Sequence, residues 1–330
     1  MKKVYFLVPD NQTPSWGIAT IYHLATLSRE LQIEAYVLHF SPDFPGLTWL
    51  DTQVKTRYLA TEKSKITKDD LIIVPEVSVS HPEVKALSCQ KVVFVQGGFL
   101  LQKGLQSSKN YQELGFSAAW AVMPHIESII DRFFPIKTYP MPTHVAPYFF
   151  IKNLEETRKK QIVLFPKDGY REVGYMDYEI ILPLLNNFIH EENIGLKHQQ
   201  KEEWKIISLS GYSHQEVAKI MTESCFFVNT NCFESLNASV AEAMAAGCIS
   251  FCYEAYGGQD YLVNEQNAYV FPNNYVYPLL DKLFECIHDF DNLETKHQNM
   301  RKVAQQTVSQ FNKERSKQAL LHFYQDFNQQ

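Results

Sequence analysis

The sequence predicts an α/β protein built on parallel sheets and divided into two domains. Three observations predict it. The 330-residue chain is long enough for two hydrophobic cores. Short apolar runs with the length of buried strands, such as Val4–Val8, Leu71–Val74 and Ile162–Phe165, recur along it. Segments of helical period lie between them, so strand and helix alternate as in βαβ units.

Taken in order, Val4–Val8 is the first strand and Pro9 to Trp16 a turn-rich loop. From Gly17 onward, Ile18, Ile21, Tyr22, Leu24, Ala25, Leu27 and Leu31 recur at helical spacing, and Glu34–Phe40 completes a βαβ unit. Leu71–Val74 is the next strand. A helix after Pro82 leads to a strand at Lys91–Val95, which runs into Gln96-Gly97-Gly98. Adjacent glycines at a strand end mark either a tight turn or a close backbone approach to a ligand. Ala119–Met123 is a strand, with Pro124 at a helix N1 position and His125 in the first turn. Val145–Phe150 reads as the last strand of the first domain, and Lys152–Lys160 as a solvated linker carrying the basic cluster Arg158-Lys159-Lys160.

In the second domain Ile162–Phe165 ends in Pro166-Lys167-Asp168-Gly169-Tyr170-Arg171. A helix spans Tyr175 to Glu192, with Pro183 as a kink, and Trp204–Leu209 is a strand. Ser213-His214-Gln215-Glu216 has the form of a capping box just after Gly211. Cys225–Asn229 is a buried strand, Ala238 to Ala246 a helix of small residues ended by Gly247, and Cys248–Tyr253 the next strand. Helices at Tyr275–Phe290, Leu293–Phe311 and Lys313–Phe327 complete the chain.

Composition bounds the function. Hydrophobic residues at 45% and charged residues at 21% are those of a globular chain. A net charge of −6 and the lack of a long basic run argue against nucleic acid as a partner. The six cysteines form no CxxC pair and several lie in apolar runs, which suits buried thiols in a reducing compartment. The start, MKKVYFLVPD, is too short in apolar residues for a signal-peptide core, and no run has transmembrane length. A cytoplasmic protein is expected, with peripheral membrane contact left open.

The chemistry concentrates between Phe233 and Gly247. Glu234 stands in a loop after a strand, and Glu242 about one turn into the following helix. In an open parallel sheet ligands sit outside the carboxyl ends of strands, where a helix N-terminus offers N–H groups to phosphate. A diphosphate would suit the N–H groups near Ser235–Ser239, and Glu242 could accept hydrogen bonds from vicinal hydroxyls such as those of a ribose. The competing reading is two solvated glutamates, one stabilised by the helix dipole.

The order of residues favours the first reading. Glu234, Glu242-Ala243-Met244-Ala245, Gly247, Gly257-Gly258-Gln259-Asp260-Tyr261-Leu262 and Asn267-Ala268-Tyr269-Val270-Phe271-Pro272 follow one another. This array resembles the E-x7-E signature of retaining family 4 glycosyltransferases, whose GT-B fold has two Rossmann-like domains facing each other across a cleft. The resemblance implies an acceptor-side domain over residues 1–151, a nucleotide-sugar-binding domain over 161–311 and a helix over 312–330 that returns to the first domain.

It also implies roles. Glu242 would hold the ribose, Lys167 and Arg171 the diphosphate, and Glu234 with Ser235, Leu236, Asn237, Ala238 and Ser239 the sugar. Gly211 sits where the family's loops pass near the base, and His125 where a residue contacts the donor sugar; a surface histidine is the alternative there. Gly17 stands alone where the family has adjacent glycines, since Trp16 takes the other place. Trp16, Gln96 and Gly97 are candidates for the acceptor side. Asp289-Phe290-Asp291 matches a metal motif of another transferase fold but follows a helical stretch, so no metal is expected.

The function these features imply is transfer of a sugar from a nucleotide-diphospho-sugar, UDP- or GDP-linked, to an acceptor hydroxyl with retention and without cofactor or metal. A saccharide, lipid-linked or protein acceptor would fit. The residues after Glu234 are Ser-Leu-Asn-Ala where many family members have glycines, which keeps a second reading open, a silent GT-B subunit that regulates a partner transferase. A sugar-nucleotide epimerase is the third.

Overall fold

The computed structural model describes residues 2–50, 54–166 and 175–327. They divide into two compact units, one drawn from Met1–His144 with Phe311–Gln330, the other from Val145–Gln310.

In the first unit the strands β1 (Val4–Leu7), β2 (Ala35–His39), β3 (Thr56–Tyr58), β4 (Leu71–Pro75), β5 (Gln90–Val95), β6 (Ala118–Ala121) and β7 (Lys137–Pro140) form one sheet in the order β3-β2-β1-β4-β5-β6-β7. Each neighbouring pair is parallel, with Val4 opposite both Ala35 and Leu71. Helices α1 (Trp16–Glu30), α2 (Leu59–Glu62), α3 (Pro82–Lys85), α4 (Leu101–Leu105) and α5 (Pro124–Phe133) connect the strands. Every residue of β1 and β2 is buried, as expected for central strands of a parallel sheet covered on both faces.

The second unit holds β8 (Lys159–Leu164), β9 (Lys205–Ser208), β10 (Ser224–Asn229), β11 (Ile249–Tyr253) and β12 (Tyr269–Phe271), all parallel, in the order β12-β11-β10-β8-β9. Its helices are α6 (Tyr175–His198), α7 (His214–Glu223), α8 (Ala238–Ala245), α9 (Val276–His288) and α10 (Glu294–Val308). Pro183 lies inside α6. In α8 every residue but Ser239 is buried, and its alanines let the helix lie close on the sheet. Gly247 takes the left-handed conformation that ends α8, with φ of +76°. The last helix, α11 (Lys313–Phe327), belongs to the first unit and packs on α1 through a 2.7 Å Ser28–Tyr324 hydroxyl pair. Its Phe323 ring stands edge-on to Trp120, with centroids 4.9 Å apart.

Three local expectations are corrected. Residues 145–150 are not a strand: Pro147–Phe149 is a 3-10 turn, where Pro147 has no N–H to give a ladder and Phe149 buries fully. The edge strands β3 and β7 replace it in the count. The basic cluster is no solvated linker, since Lys159 opens β8 and Arg158 is buried. The Arg158 guanidinium donates to the carbonyls of Thr222, Ser224 and Ala246, at the carboxyl ends of α7 and α8, where a cation is favoured. Trp16 is the first residue of α1 rather than the end of the preceding loop.

All six cysteines are buried free thiols. No helix among the described residues is long and apolar enough to cross a membrane.

Candidate functional site

Strand order selects the place. In the second unit the chain steps from β8 outward to β9, then returns to the other side of β8 with β10, so the topological switch point lies between β8 and β10. Crevices at such points are where open α/β sheets bind ligands. The loops that leave these two strands begin at Phe165-Pro166 and at Thr230. The first continues into Lys167 and Arg171, which lie outside the described residues. The second is the segment with Glu234.

That second loop is built around one close approach. The Gly257 N–H donates to the Glu234 carbonyl at 3.0 Å, and a Cβ on Gly257 would lie 1.5 Å from the Ser235 carbonyl oxygen. Only glycine fits there. The loop then enters α8 through Asn237, which is left-handed with φ 56° and ψ 58° and fully buried. Asparagine tolerates this conformation, so it supplies the glycine-like turn that the sequence lacks between 235 and 238. The Asn237 carbonyl accepts the Val240 and Ala241 N–H groups, and the Tyr261 hydroxyl at 3.3 Å. Ala238 and Ser239 precede those first intrahelical bonds, so their N–H groups are the open end of the helix.

Several polar side chains at this edge are buried with no partner among the described residues: Asn231 Nδ2, Ser235 Oγ and both amide atoms of Asn237. Such groups cost on the order of 1–3 kcal/mol each unless a ligand or water completes them. Ser239 differs, its Oγ being 2.7 Å from Asn229 Nδ2. Leu236 is an apolar filler, 3% exposed.

Glu242, on α8, is 6% exposed. Its Oε1 lies 2.8 Å from His214 Nε2, and His214 Nδ1 lies 2.7 Å from the Tyr148 hydroxyl. His214 is the first residue of α7, held there by a complete capping box of Ser213 and Glu216. Gly211, with φ of +76° and open space where a Cβ would be, makes the turn ahead of that cap. Burial pulls the His214 pKa down, but the hydrogen bond and charge of Glu242 outweigh it and leave it above the ordinary value. Burial, and then the Glu242 charge, push the Tyr148 hydroxyl up to about 12. The capping box was legible in the sequence; the contacts of His214 and Tyr148 with Glu242 were not.

The first unit gathers its candidates at the edge where its own switch point, β1 and β4, lies. A Cβ on Gly17, second in α1, would meet Gln96 Oε1 at 3.2 Å, so Gly17 and Gln96 are neighbours. The Gln96 and Gly97 N–H groups donate to Glu76 Oε1 at 3.1 and 2.8 Å. Glu76, which belongs to no motif in the sequence, is 2% exposed, and burial pushes its carboxyl up to about 7. Gly98 packs against Ile126 of α5, the residue after half-buried His125. Trp16 is half-buried at the start of α1. Asp289 is the carboxyl cap of α9, and among the described residues no cluster of acidic, His or Cys side chains could hold a metal ion.

No protein-family model and no curated protein matches the sequence. Solved structures match over the whole chain. A glycosyltransferase from Rickettsia africae is 14% identical with a TM-score of 0.67, covering 98% of both chains. A sucrose-phosphate synthase from Thermosynechococcus elongatus is 12% identical with a TM-score of 0.69, covering 100% of this chain and 99% of its own. HepE from Anabaena, in complex with UDP-glucose, is 14% identical with a TM-score of 0.68, covering 98% and 99%. The chain therefore has the GT-B fold.

Proposed function

We propose that the protein is a retaining glycosyltransferase that moves a sugar from a nucleoside-diphosphate sugar to an acceptor hydroxyl, in polysaccharide, glycolipid or glycoprotein synthesis. One observation carries the reading: a buried carboxylate, a helix N-terminus and polar side chains without a partner among the described residues meet at the switch point of the second unit. In this assignment Glu242 takes the ribose, and the Ala238 and Ser239 N–H groups with Lys167 and Arg171 take the diphosphate. Ser235, Asn237 and Glu234 take the sugar hydroxyls. Gly211 passes the base, His125 the donor sugar, and Gly17, Trp16, Gln96 and Gly97 serve the acceptor.

The bond from the anomeric carbon to the phosphate oxygen breaks, and the acceptor oxygen bonds that carbon on the same face. The acceptor proton passes to the departing phosphate. Cations and oriented N–H groups act on the charge that develops there, which makes leaving-group stabilisation the main catalytic contribution. No metal takes part in this scheme. The fold neighbour bound to UDP-glucose makes UDP-sugars the first donors to test.

Titration calorimetry of the wild type against UDP-, GDP- and ADP-sugars tests the reading. One nucleotide is expected to bind, and Glu242→Ala to weaken it ten- to hundredfold, the worth of charge-assisted hydrogen bonds of about 1.5–3 kcal/mol. Absence of binding by any of them in the folded wild type would sink the donor-site assignment and favour a silent subunit.

A further inference from the structure

The Tyr148–His214–Glu242 chain lies in the second unit and no step of the proposed reaction uses its imidazole. Glu242 has two carboxylate oxygens. Oε1 faces His214, while Oε2 makes no hydrogen bond among the described residues. Because a carboxylate only accepts, the imidazole must donate from Nε2–H. In the neutral ring Nδ1 is then an acceptor, and the Tyr148 hydroxyl is placed to donate to it. Tyr148 thus selects the tautomer that Glu242 needs. The Phe149 ring, 4.9 Å from the imidazole by centroids, packs on it as well.

We infer that His214 is a positioning residue for nucleotide binding: its Nε2–H fixes the Glu242 carboxylate by one oxygen, leaving the other aimed at a ribose hydroxyl. The inference rests on the nucleotide-sugar reading. It adds a charge effect. The titratable groups that face His214 are Glu242 from α8 and Tyr148 from the 3-10 turn. On its own helix Glu216 is held by the Ser213 cap. β8 and β10 also pack on α7; Lys159 of β8 pairs with Glu223 at the far end of the helix, and Cys225 of β10 is a buried thiol whose pKa burial raises. The protonated imidazole therefore neutralises Glu242 next to the place of an anionic ligand. Deprotonation leaves Nε2–H in place but removes that charge, so affinity for a diphosphate should fall as pH rises through the His214 pKa.

The test is calorimetry with UDP-glucose, then GDP-mannose and ADP-glucose if the first gives no heat, from about pH 6 to 8.5. The diphosphate of these esters does not itself titrate in that range. Wild type, His214→Ala, His214→Gln and Tyr148→Phe are compared, with circular dichroism as a check on folding. His214→Ala is expected to bind about tenfold more weakly. His214→Gln keeps an N–H donor of similar reach, so it should restore affinity to within about threefold while losing the pH dependence. Tyr148→Phe should match the wild type at the acid end and weaken at the alkaline end. If His214→Ala does not fold, the glutamine and phenylalanine variants decide alone. Variants that match the wild type in affinity and pH profile overturn the role of His214 while leaving the nucleotide reading intact. If the folded wild type binds none of the three nucleotides, the nucleotide reading fails and this inference with it.

Discussion

At the switch point of the second unit, several buried polar side chains have no partner among the described residues; at that of the first, most are tied to one another. Asn231, Ser235 and Asn237 are the open set. In the first unit Asp10, after β1, accepts the N–H groups of Phe40 and Ser41 and faces His39 Nδ1 at 3.0 Å, and His39 Nε2 meets the Tyr22 hydroxyl at 2.7 Å. Glu76, after β4, is committed to Gln96 and Gly97. Gln96 Oε1 and the hydroxyl of Tyr111, which feels the Glu76 charge, are buried there without a partner among the described residues. The same topology thus yields one edge with open polar groups and another whose polar groups mostly hold loops in place.

The sharpest way to break the comparison is to push the loops apart. Each edge contains one glycine pressed on a backbone carbonyl: Gly257 on Ser235, at 1.5 Å from a built Cβ, and Gly104 of α4 on Glu76, at 1.9 Å. No side chain can rotate away to relieve either contact. Gly257→Ala and Gly104→Ala should each cost at least about 3 kcal/mol, read as a fall in the urea midpoint. They should differ in function. In whatever fraction remains folded, Gly257→Ala should also abolish nucleotide binding, whereas Gly104→Ala should leave it intact. Equal loss of binding in both would show that the two edges are not separate in function.

Glu76 gives the next effect, and its sign follows from burial. In the unfolded chain the carboxyl ionises near its ordinary 4.5, while in the folded protein it keeps its proton up to about 7. Between those values the unfolded state has lost a proton that the native state retains, so stability falls as pH rises and levels off above pH 7. The fall should approach about 3 kcal/mol. Glu76→Gln, whose side-chain carbonyl can still accept from Gln96 and Gly97, should lack it. Urea midpoints from pH 5 to 8 in the two proteins check this; parallel curves would mean that the native carboxyl ionises as an ordinary surface group.

These effects also mark where the sequence could be read. The strands whose residues all bury on both faces, such as β1 and β10, stood out as apolar runs, and the α7 cap stood out as Ser213 and Glu216. The edge strands β3 and β7 did not, because Thr56-Arg57-Tyr58 and Lys137–Pro140 are short and partly exposed, so they carry no apolar signature. Residues 145–150 carried one falsely, their aromatic content burying a turn. The placement of Glu234 in a loop and Glu242 on the following helix was legible from the small, helix-forming residues between Ala238 and Ala246. His214, 28 residues from Glu242, and Glu76, 20 from Gln96, depend on which loops the sheet order brings together. A one-dimensional pattern holds no record of that.

Gly17 is the smallest test and the one that bears most directly on the acceptor side. A Cβ there meets the Gln96 side-chain oxygen at 3.2 Å, a tight contact with the far end of a flexible chain rather than with backbone. Alanine also favours a helix over glycine by up to about 1 kcal/mol. Gly17→Ala should therefore change stability by less than about 1 kcal/mol and leave donor affinity unchanged. If the close approach serves only Gln96, transfer to an acceptor is unaffected too. If an acceptor or the donor phosphate comes near this backbone, the displaced Gln96 and the added methyl should raise KM for the acceptor severalfold at constant donor affinity. That split, measured with the donor identified by calorimetry, decides whether the first unit's edge takes part in binding or only holds its own loops.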